Sequence, residues 1–218
     1  MFRVMLYSQW KWSRLIVVIG AIAGFTLPVV SVQGAARAGP GALSPMDLLQ
    51  TLQSWGTFYP VLAAALGLLV AVAAWTPDHR GRHVHALSLP LPRWRYVVLR
   101  YGAGATLLAA PVCTVLVGAM LAAASATVPP GLQAYPFGLA LRFGLAVALA
   151  YSLFFAVSSG TSRTAGFILG GIGAVIGLQV VAGAAGISLD LPGRVLPIVL
   201  NWPGPLAIFT GRWMLIDV

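Results

Sequence analysis

The residues best able to do chemistry are gathered in one basic segment, residues 77–95. It holds all three histidines, and the i, i+4 spacing of His79 and His83, with His85 following, could place imidazoles around a metal ion. Membrane di-iron enzymes use repeated histidine boxes, however, and this chain has only three histidines and four acidic residues. We therefore interpret the segment as a solvated basic loop that faces anionic lipid or a partner, and we expect no metal site.

The remaining polar residues do not assemble into a catalytic pattern. The four carboxylates, Asp47, Asp78, Asp190 and Asp217, are scattered, so no acid–base pair emerges. No serine has the sequence context of a nucleophile elbow. Lys11 is the sole lysine and follows no glycine-rich phosphate loop, so the chain has no Walker A element. We expect no catalytic residue and no cofactor in this chain.

Arg142 is the one charge placed well inside an apolar run. A charge there must reach the interface, pair, or face an aqueous cavity. Two interpretations stay open: its side chain extends to the outer interface, or it lines a cavity. In the cavity it would pair with Asp47 or Asp190, or meet an anionic substrate.

Composition places the chain in the membrane. Hydrophobic residues make up 59% of it and charged residues 8%, with a mean hydropathy of +0.91, whereas soluble proteins are roughly 25% charged. The net charge of +9 therefore indicates cytoplasmic loops and anionic headgroups. A nucleic-acid partner would need a soluble basic face, which this composition does not offer. The single Cys113 lies in an apolar run, so no disulfide framework is expected.

Five apolar runs are close to or above the roughly 20 residues that a membrane-crossing helix needs. They are Leu15–Val32, Thr57–Trp75, Tyr96–Ala124, Phe137–Val157 and Thr164–Ala185. In the fifth run, glycines recur at helical spacing and form a smooth stripe for close helix packing, within the chain or across a dimer. These are Gly166, Gly170, Gly173 and Gly177. The sequence thus predicts an all-α integral membrane protein, a single domain over residues 1–218 with five to six transmembrane helices.

Arginine placement predicts the orientation. Basic residues precede the first run, fill residues 80–100 and occur at Arg163, whereas the intervening connections are poor in charge. The positive-inside rule then places the N-terminus in the cytoplasm. A cleaved signal peptide ending at Ala36-Arg37-Ala38 is the competing interpretation. We disfavour it because the apolar run is long for a signal sequence.

The two ends of the chain have amphipathic character. Residues 1–14 carry aromatic and basic side chains typical of an interfacial helix along the cytoplasmic headgroups. These are Tyr7, Trp10, Lys11, Trp12 and Arg14. Residues 195–218 are apolar but interrupted by Pro197, Asn201, Pro203 and Pro205, which disfavours a lipid-exposed helix. We expect an outer re-entrant or surface segment there, with a broken sixth helix as the alternative.

The central basic segment also has the signals of a short cytoplasmic helix. Asp78 can N-cap a helix over His79–Leu87, and Pro90 and Pro92 can end it. Such a helix would present Val84 and Leu87 beside basic residues to a soluble partner.

In this order of elements the chain resembles the ABC-2 type permease subunits of ATP-binding cassette exporters. The residues that carry the resemblance are the Tyr7–Arg14 segment, the stretch from Gly81 through Leu87-Ser88-Leu89-Pro90-Leu91-Pro92-Arg93 to Arg95-Tyr96, and the Gly160-Thr161-Ser162-Arg163 turn. The resemblance covers most of the chain, although these motifs are loose and the chain ends where the family's outer hairpin would precede a sixth helix.

The resemblance implies an N-terminal elbow helix (1–14), a cytoplasmic coupling loop with a helix (77–95), a partner ATPase that binds ATP and Mg, and a second permease chain, identical or homologous. It also implies the bacterial inner (plasma) membrane. The coupling residues would be Arg80, Arg82, His83, Val84, Leu87, Leu89 and Arg93. Two alternatives come from other classes: a non-transporting membrane anchor or scaffold subunit, and a lipid-acting membrane enzyme, which the scarcity of acidic residues disfavours.

Overall fold

The computed structural model describes residues 2–37, 52–80, 92–126 and 131–160. It also describes residues 198, 200, 201, 203, 204 and 206–217 of the C-terminal part. Two compact units are formed: Met1–Phe155 with Arg212–Val218, and Ala156–Gly211.

Four long helices dominate the described residues. They are α1 (Phe2–Arg37), α2 (Phe58–Arg80), α3 (Arg93–Ser125) and α4 (Pro136–Ser159), with a further helical segment at 52–56. All four are long and apolar enough to cross a membrane, as a membrane protein requires, and the helical nature of the first four predicted spans is confirmed. The fifth predicted span, Thr164–Ala185, lies outside the described residues.

Helix packing in the larger unit depends on small residues. Helix α1 packs chiefly on α3, where a Cβ atom added to Gly118 would lie 2.4 Å from the Phe25 carbonyl oxygen of α1. Helix α2 approaches α4 as closely, since a Cβ on Gly67 would lie 2.6 Å from both the Ala150 Cβ and the Tyr151 amide nitrogen. Both distances are far below a van der Waals contact, so these crossings require glycine. This is the small-residue packing common between membrane helices.

The predicted N-terminal elbow is not confirmed as a separate helix. Residues 2–14 are the first turns of α1, which runs without interruption to Arg37. The first glycine is Gly20 and the first proline is Pro28, so nothing in the sequence breaks the helix after Arg14. In addition, Gln9 and Ser13 are buried in the bundle, and Ser13 Oγ donates to the Gln9 carbonyl oxygen at 2.7 Å. At 1.5 Å per residue, 36 residues span about 54 Å, well beyond a hydrocarbon core of about 30 Å.

The predicted cap at Asp78 is wrong. Helix α2 continues through Pro77 and Asp78 to Arg80, so Asp78 lies inside a helix and does not begin one. A proline removes a single backbone hydrogen bond, to the residue four positions earlier. Here that loss falls near the helix end, where Thr76 Oγ1 adds a bond to the Val72 carbonyl oxygen at 2.8 Å. Residues 81–91, which include the rest of the predicted coupling helix, lie outside the described residues.

The C-terminal residues of the larger unit return to the bundle as a short strand. Strand β1 (Gln133–Ala134) pairs antiparallel with β2 (Ile216–Asp217), and the Tyr135 amide donates to the Leu215 carbonyl oxygen at 2.8 Å. Tyr59 stacks on Trp213, with 6.1 Å between ring centroids. Trp213 is buried, so it packs in the protein. This strand therefore lies at the end of the bundle where α2 and α4 begin.

The smaller unit contributes a short 3-10 turn, Ala207–Phe209. Thr210 Oγ1 donates to the Leu200 carbonyl oxygen at 2.7 Å and to the Ala207 carbonyl oxygen at 2.9 Å.

Candidate functional sites at the two ends of the bundle

One candidate site is a buried arginine where α3 begins. Arg100 is only 8% exposed. Its Cζ atom lies 4.9 Å from the centroid of the Trp75 ring of α2 and 5.2 Å from that of Tyr96, and its guanidinium donates to the Tyr96 hydroxyl. A cation over an aromatic face gains about 0.5–2 kcal/mol, more when it is desolvated. Arg100 thereby joins the last turns of α2 to the first turns of α3.

Aromatic rings extend this contact to α4. Phe155 lies 5.2 Å from Trp75 and 5.4 Å from Tyr101, centroid to centroid. Tyr101 and Ser152 share a hydrogen bond of 2.7 Å between their hydroxyl oxygens, and Tyr151 donates to the Tyr101 carbonyl oxygen at 3.2 Å. We call Trp75, Tyr96, Arg100, Tyr101, Tyr151 and Phe155 the arginine–aromatic cluster. It ties three helices together near the C-terminal end of α2 and the N-terminal end of α3.

The predicted coupling residues are only partly described. Arg80 is the last residue of α2, and Arg93 is an exposed first residue of α3. Arg82, His83, Val84, Leu87 and Leu89 lie outside the described residues. Arg80 and Arg93 therefore mark the ends of α2 and α3 that lie toward the arginine–aromatic cluster.

The predicted elbow residues lie together on α1. Tyr7 is 73% exposed, Trp10 39% and Trp12 42%, and Lys11 and Arg14 are exposed as well. Indoles and basic groups at one helix end suit the headgroup layer. The five residues therefore form an aromatic and basic collar on the first turns of a long helix, where an independent interfacial helix was predicted.

The second candidate site surrounds Arg142 at the opposite end of the bundle. Arg142 lies six residues into α4, half-buried, and its guanidinium donates to the Arg212 carbonyl oxygen. Its Cζ atom lies 4.5 Å from the centroid of the Trp213 ring. Asp47 and Asp190, the partners considered from the sequence, lie outside the described residues.

A cavity of about 360 Å³ opens beside Arg142. Its walls come from the first two turns of α4 and from the returning C-terminal segment, and they include two arginines and one aspartate. The lining residues are Tyr135, Gly138, Leu139, Arg142, Arg212, Trp213, Met214 and Asp217. We call this the Arg142 cavity. The cavity-facing interpretation of Arg142 thus has a geometric basis.

A third feature is an apolar groove between α1 and α2. It has a volume of about 390 Å³ and is lined by Ala23, Thr26, Leu27, Val30, Trp55, Phe58, Val61, Leu62 and Ala65. Phe58 and Val61 are 54% and 66% exposed. Such a surface faces lipid or another apolar helix. The predicted glycine stripe at Gly166, Gly170, Gly173 and Gly177 lies outside the described residues.

Sequence reasoning missed the arginine–aromatic cluster. Arg100 was counted only as one charge of a basic loop, although it lies seven residues inside α3. A signal was present: Tyr96 and Arg100 are separated by one helical turn, and Trp75 ends the preceding apolar run.

No family model, curated protein or solved structure matches this chain.

Proposed function

We propose that this chain is the membrane-spanning permease subunit of an ATP-binding cassette exporter, driven by a separate ATPase chain that binds ATP and Mg. The observation that carries the proposal is an arginine-rich connection between two apolar helices, α2 and α3, whose adjoining ends contact each other. Arg80 ends α2, Arg93 begins α3, and Arg100 binds Trp75 and Tyr96 across the two helices. A permease needs such a cytoplasmic contact segment, because its ATPase lies outside the membrane.

The arginine–aromatic cluster would transmit a displacement of this connection to the helices. A partner that displaces the 81–91 connection moves the ends of α2 and α3 together, because the Arg100 guanidinium of α3 lies 4.9 Å from the centroid of the Trp75 ring of α2. Phe155 carries the displacement to α4 through ring contacts. Packed helices have a few discrete arrangements, so a small local displacement can switch them from one arrangement to another. ATP-driven closure of a partner would in this way reach at least three helices.

Two permease chains complete the proposed transporter. Four described apolar helices in one copy are few for enclosing a pathway, and oligomers are usually symmetric. In the family that the sequence resembles, the seam involves the first, second and fifth helices. The exposed groove between α1 and α2 supports that location here.

Copurification tests the proposal. The full chain, tagged at one end and extracted from its native bacterial inner membrane in mild detergent, should bring down a chain that carries a Walker A motif. The complex should hydrolyse ATP, and reconstituted vesicles should move a hydrophobic substrate only when ATP is present. A complex without an ATPase would contradict the proposal and favour the anchor or scaffold function.

A further inference from the structure

We propose that the Arg142 cavity binds a phosphate group, carried by a phospholipid headgroup or as a free anion. Arg142 and Arg212 line it together with one acidic residue, Asp217. These three groups leave a net charge of +1 in a space of about 360 Å³, large enough for a phosphodiester. This binding site is independent of any ATPase.

The orientation of Arg142 is fixed by its own contacts. The guanidinium donates to the Arg212 carbonyl oxygen and lies over the Trp213 ring, which in turn stacks on Tyr59. A guanidinium has five N–H donors in a planar fork, and that fork matches the oxygens of a phosphate. Because these contacts already restrain the planar guanidinium, the Arg142 side chain loses little conformational entropy when an anion binds.

The depth of the cavity fits a headgroup. Arg142 is six residues from the start of α4, or about 9 Å along the helix axis. Tyr135, which is exposed, is an amphipathic aromatic residue of the kind found at the membrane–water interface. The wall at Gly138 is open, since the nearest atom to an added Cβ is the Tyr135 Cβ at 3.7 Å.

Trp213 provides a second, independent observation. This residue is 3% exposed, and its Nε1 atom is buried without a hydrogen-bond partner in the described part of the chain. A buried indole N–H usually finds an acceptor. Trp213 also lines the cavity, so a ligand oxygen that enters beside this ring can supply the missing acceptor once the ring shifts.

The test is direct binding to the purified full chain in a non-ionic detergent, measured by native mass spectrometry. The probes are short-chain phosphatidylglycerol, short-chain phosphatidylethanolamine, the matching diacylglycerol without phosphate, and inorganic phosphate. Both phospholipids should bind at least tenfold more tightly than the diacylglycerol. If inorganic phosphate binds as tightly as the lipids, the source is a free anion; if only the lipids bind, it is a headgroup. Equal binding of the diacylglycerol would overturn the proposal.

Charge variants locate the site. Arg142→Gln and Arg212→Gln should each weaken phospholipid binding at least tenfold, whereas Arg93→Gln, at an exposed arginine of the other bundle end, should not. Asp217→Asn should strengthen binding, a gain that misfolding cannot produce. If Arg142→Gln lowers the thermal unfolding temperature, Arg212→Gln and Asp217→Asn decide the matter. Unchanged binding in both of those variants would overturn the proposal.

Discussion

At the scale of single residues, helix contact in this chain depends on positions where a side chain has no room. Gly118→Ala would place a Cβ 2.4 Å from the Phe25 carbonyl oxygen, so α1 and α3 must separate. We expect destabilisation of about 1–3 kcal/mol, the usual range for overpacking, measured as a lower thermal unfolding temperature in detergent. Gly102→Ala is the control, because its nearest neighbour, Phe2, is 3.7 Å away. Equal effects of the two variants would contradict the close approach.

A second prediction at this scale concerns the guanidinium of Arg100. Lysine keeps the charge but loses the planar surface that stacks on Trp75 and Tyr96. Arg100→Lys should therefore destabilise the chain by about 0.5–2 kcal/mol, the range of a cation–π contact. Arg93→Lys is matched to it, since Arg93 is exposed on the same helix and should tolerate the change. Arg100→Lys unfolding at the wild-type temperature would show that the stacking contributes no stability.

At the scale of elements, hydropathy predicted the four described helices but not how far each extends. Apolar runs mark the lipid-spanning part, so the predicted first span began at Leu15, whereas α1 begins at Phe2. Its early turns are polar or amphipathic and stay helical because Gln9 and Ser13 are buried in the bundle. Likewise, Asp78 resembled a cap because local signals do not register that α2 can continue past Pro77. Contacts with other helices decide the first case, whereas the second is supported locally by the bond from Thr76 Oγ1 to the Val72 carbonyl oxygen.

The same reason limits what sequence could say about the sites. Arg142 was recognised because a lone charge in an apolar run is conspicuous. Its actual neighbours, Arg212 and Trp213, are about 70 residues away in sequence and are brought there by a pairing of only two residues per strand. Such short strands leave no alternating pattern to detect.

The coupling connection carries the prediction for an element. Replacing both Val84 and Leu87 by Asp puts two charges on the apolar surface that the proposed ATPase would grip, so ATPase copurification and ATP-driven transport should be lost. The bundle should still fold, because neither residue belongs to the four helices. Replacing Ser88 by Asp in the same segment is the control for added charge alone. A double variant that keeps its ATPase and transports normally would refute the coupling role.

At the scale of the whole molecule, the groove between α1 and α2 predicts contact with a second permease chain. Val30 and Val61 are exposed and line it. In a chain with Cys113→Ala, single cysteines at these two positions should form crosslinks between chains in native membranes. Leu145→Cys, which is exposed on α4, should not crosslink. A complex with one permease chain and no homologous partner would count decisively against the dimer.

The last prediction fixes the orientation of the molecule in the membrane. The pairing of β1 with β2 places residues 216–217 beside the start of α4, away from the ends of α2 and α3 that flank the basic connection. If the N-terminus is cytoplasmic, as the arginine distribution predicts, this pair lies outside the cell and Val218 has not reached the cytoplasm. In a Cys113→Ala background, Gln133→Cys and Val218→Cys should both react with an impermeant thiol reagent on intact cells. Arg93→Cys, at the opposite end of the bundle, should react only after permeabilisation. Labelling of Val218→Cys only after permeabilisation would refute this orientation, and different accessibility of positions 133 and 218 would contradict the strand pairing itself.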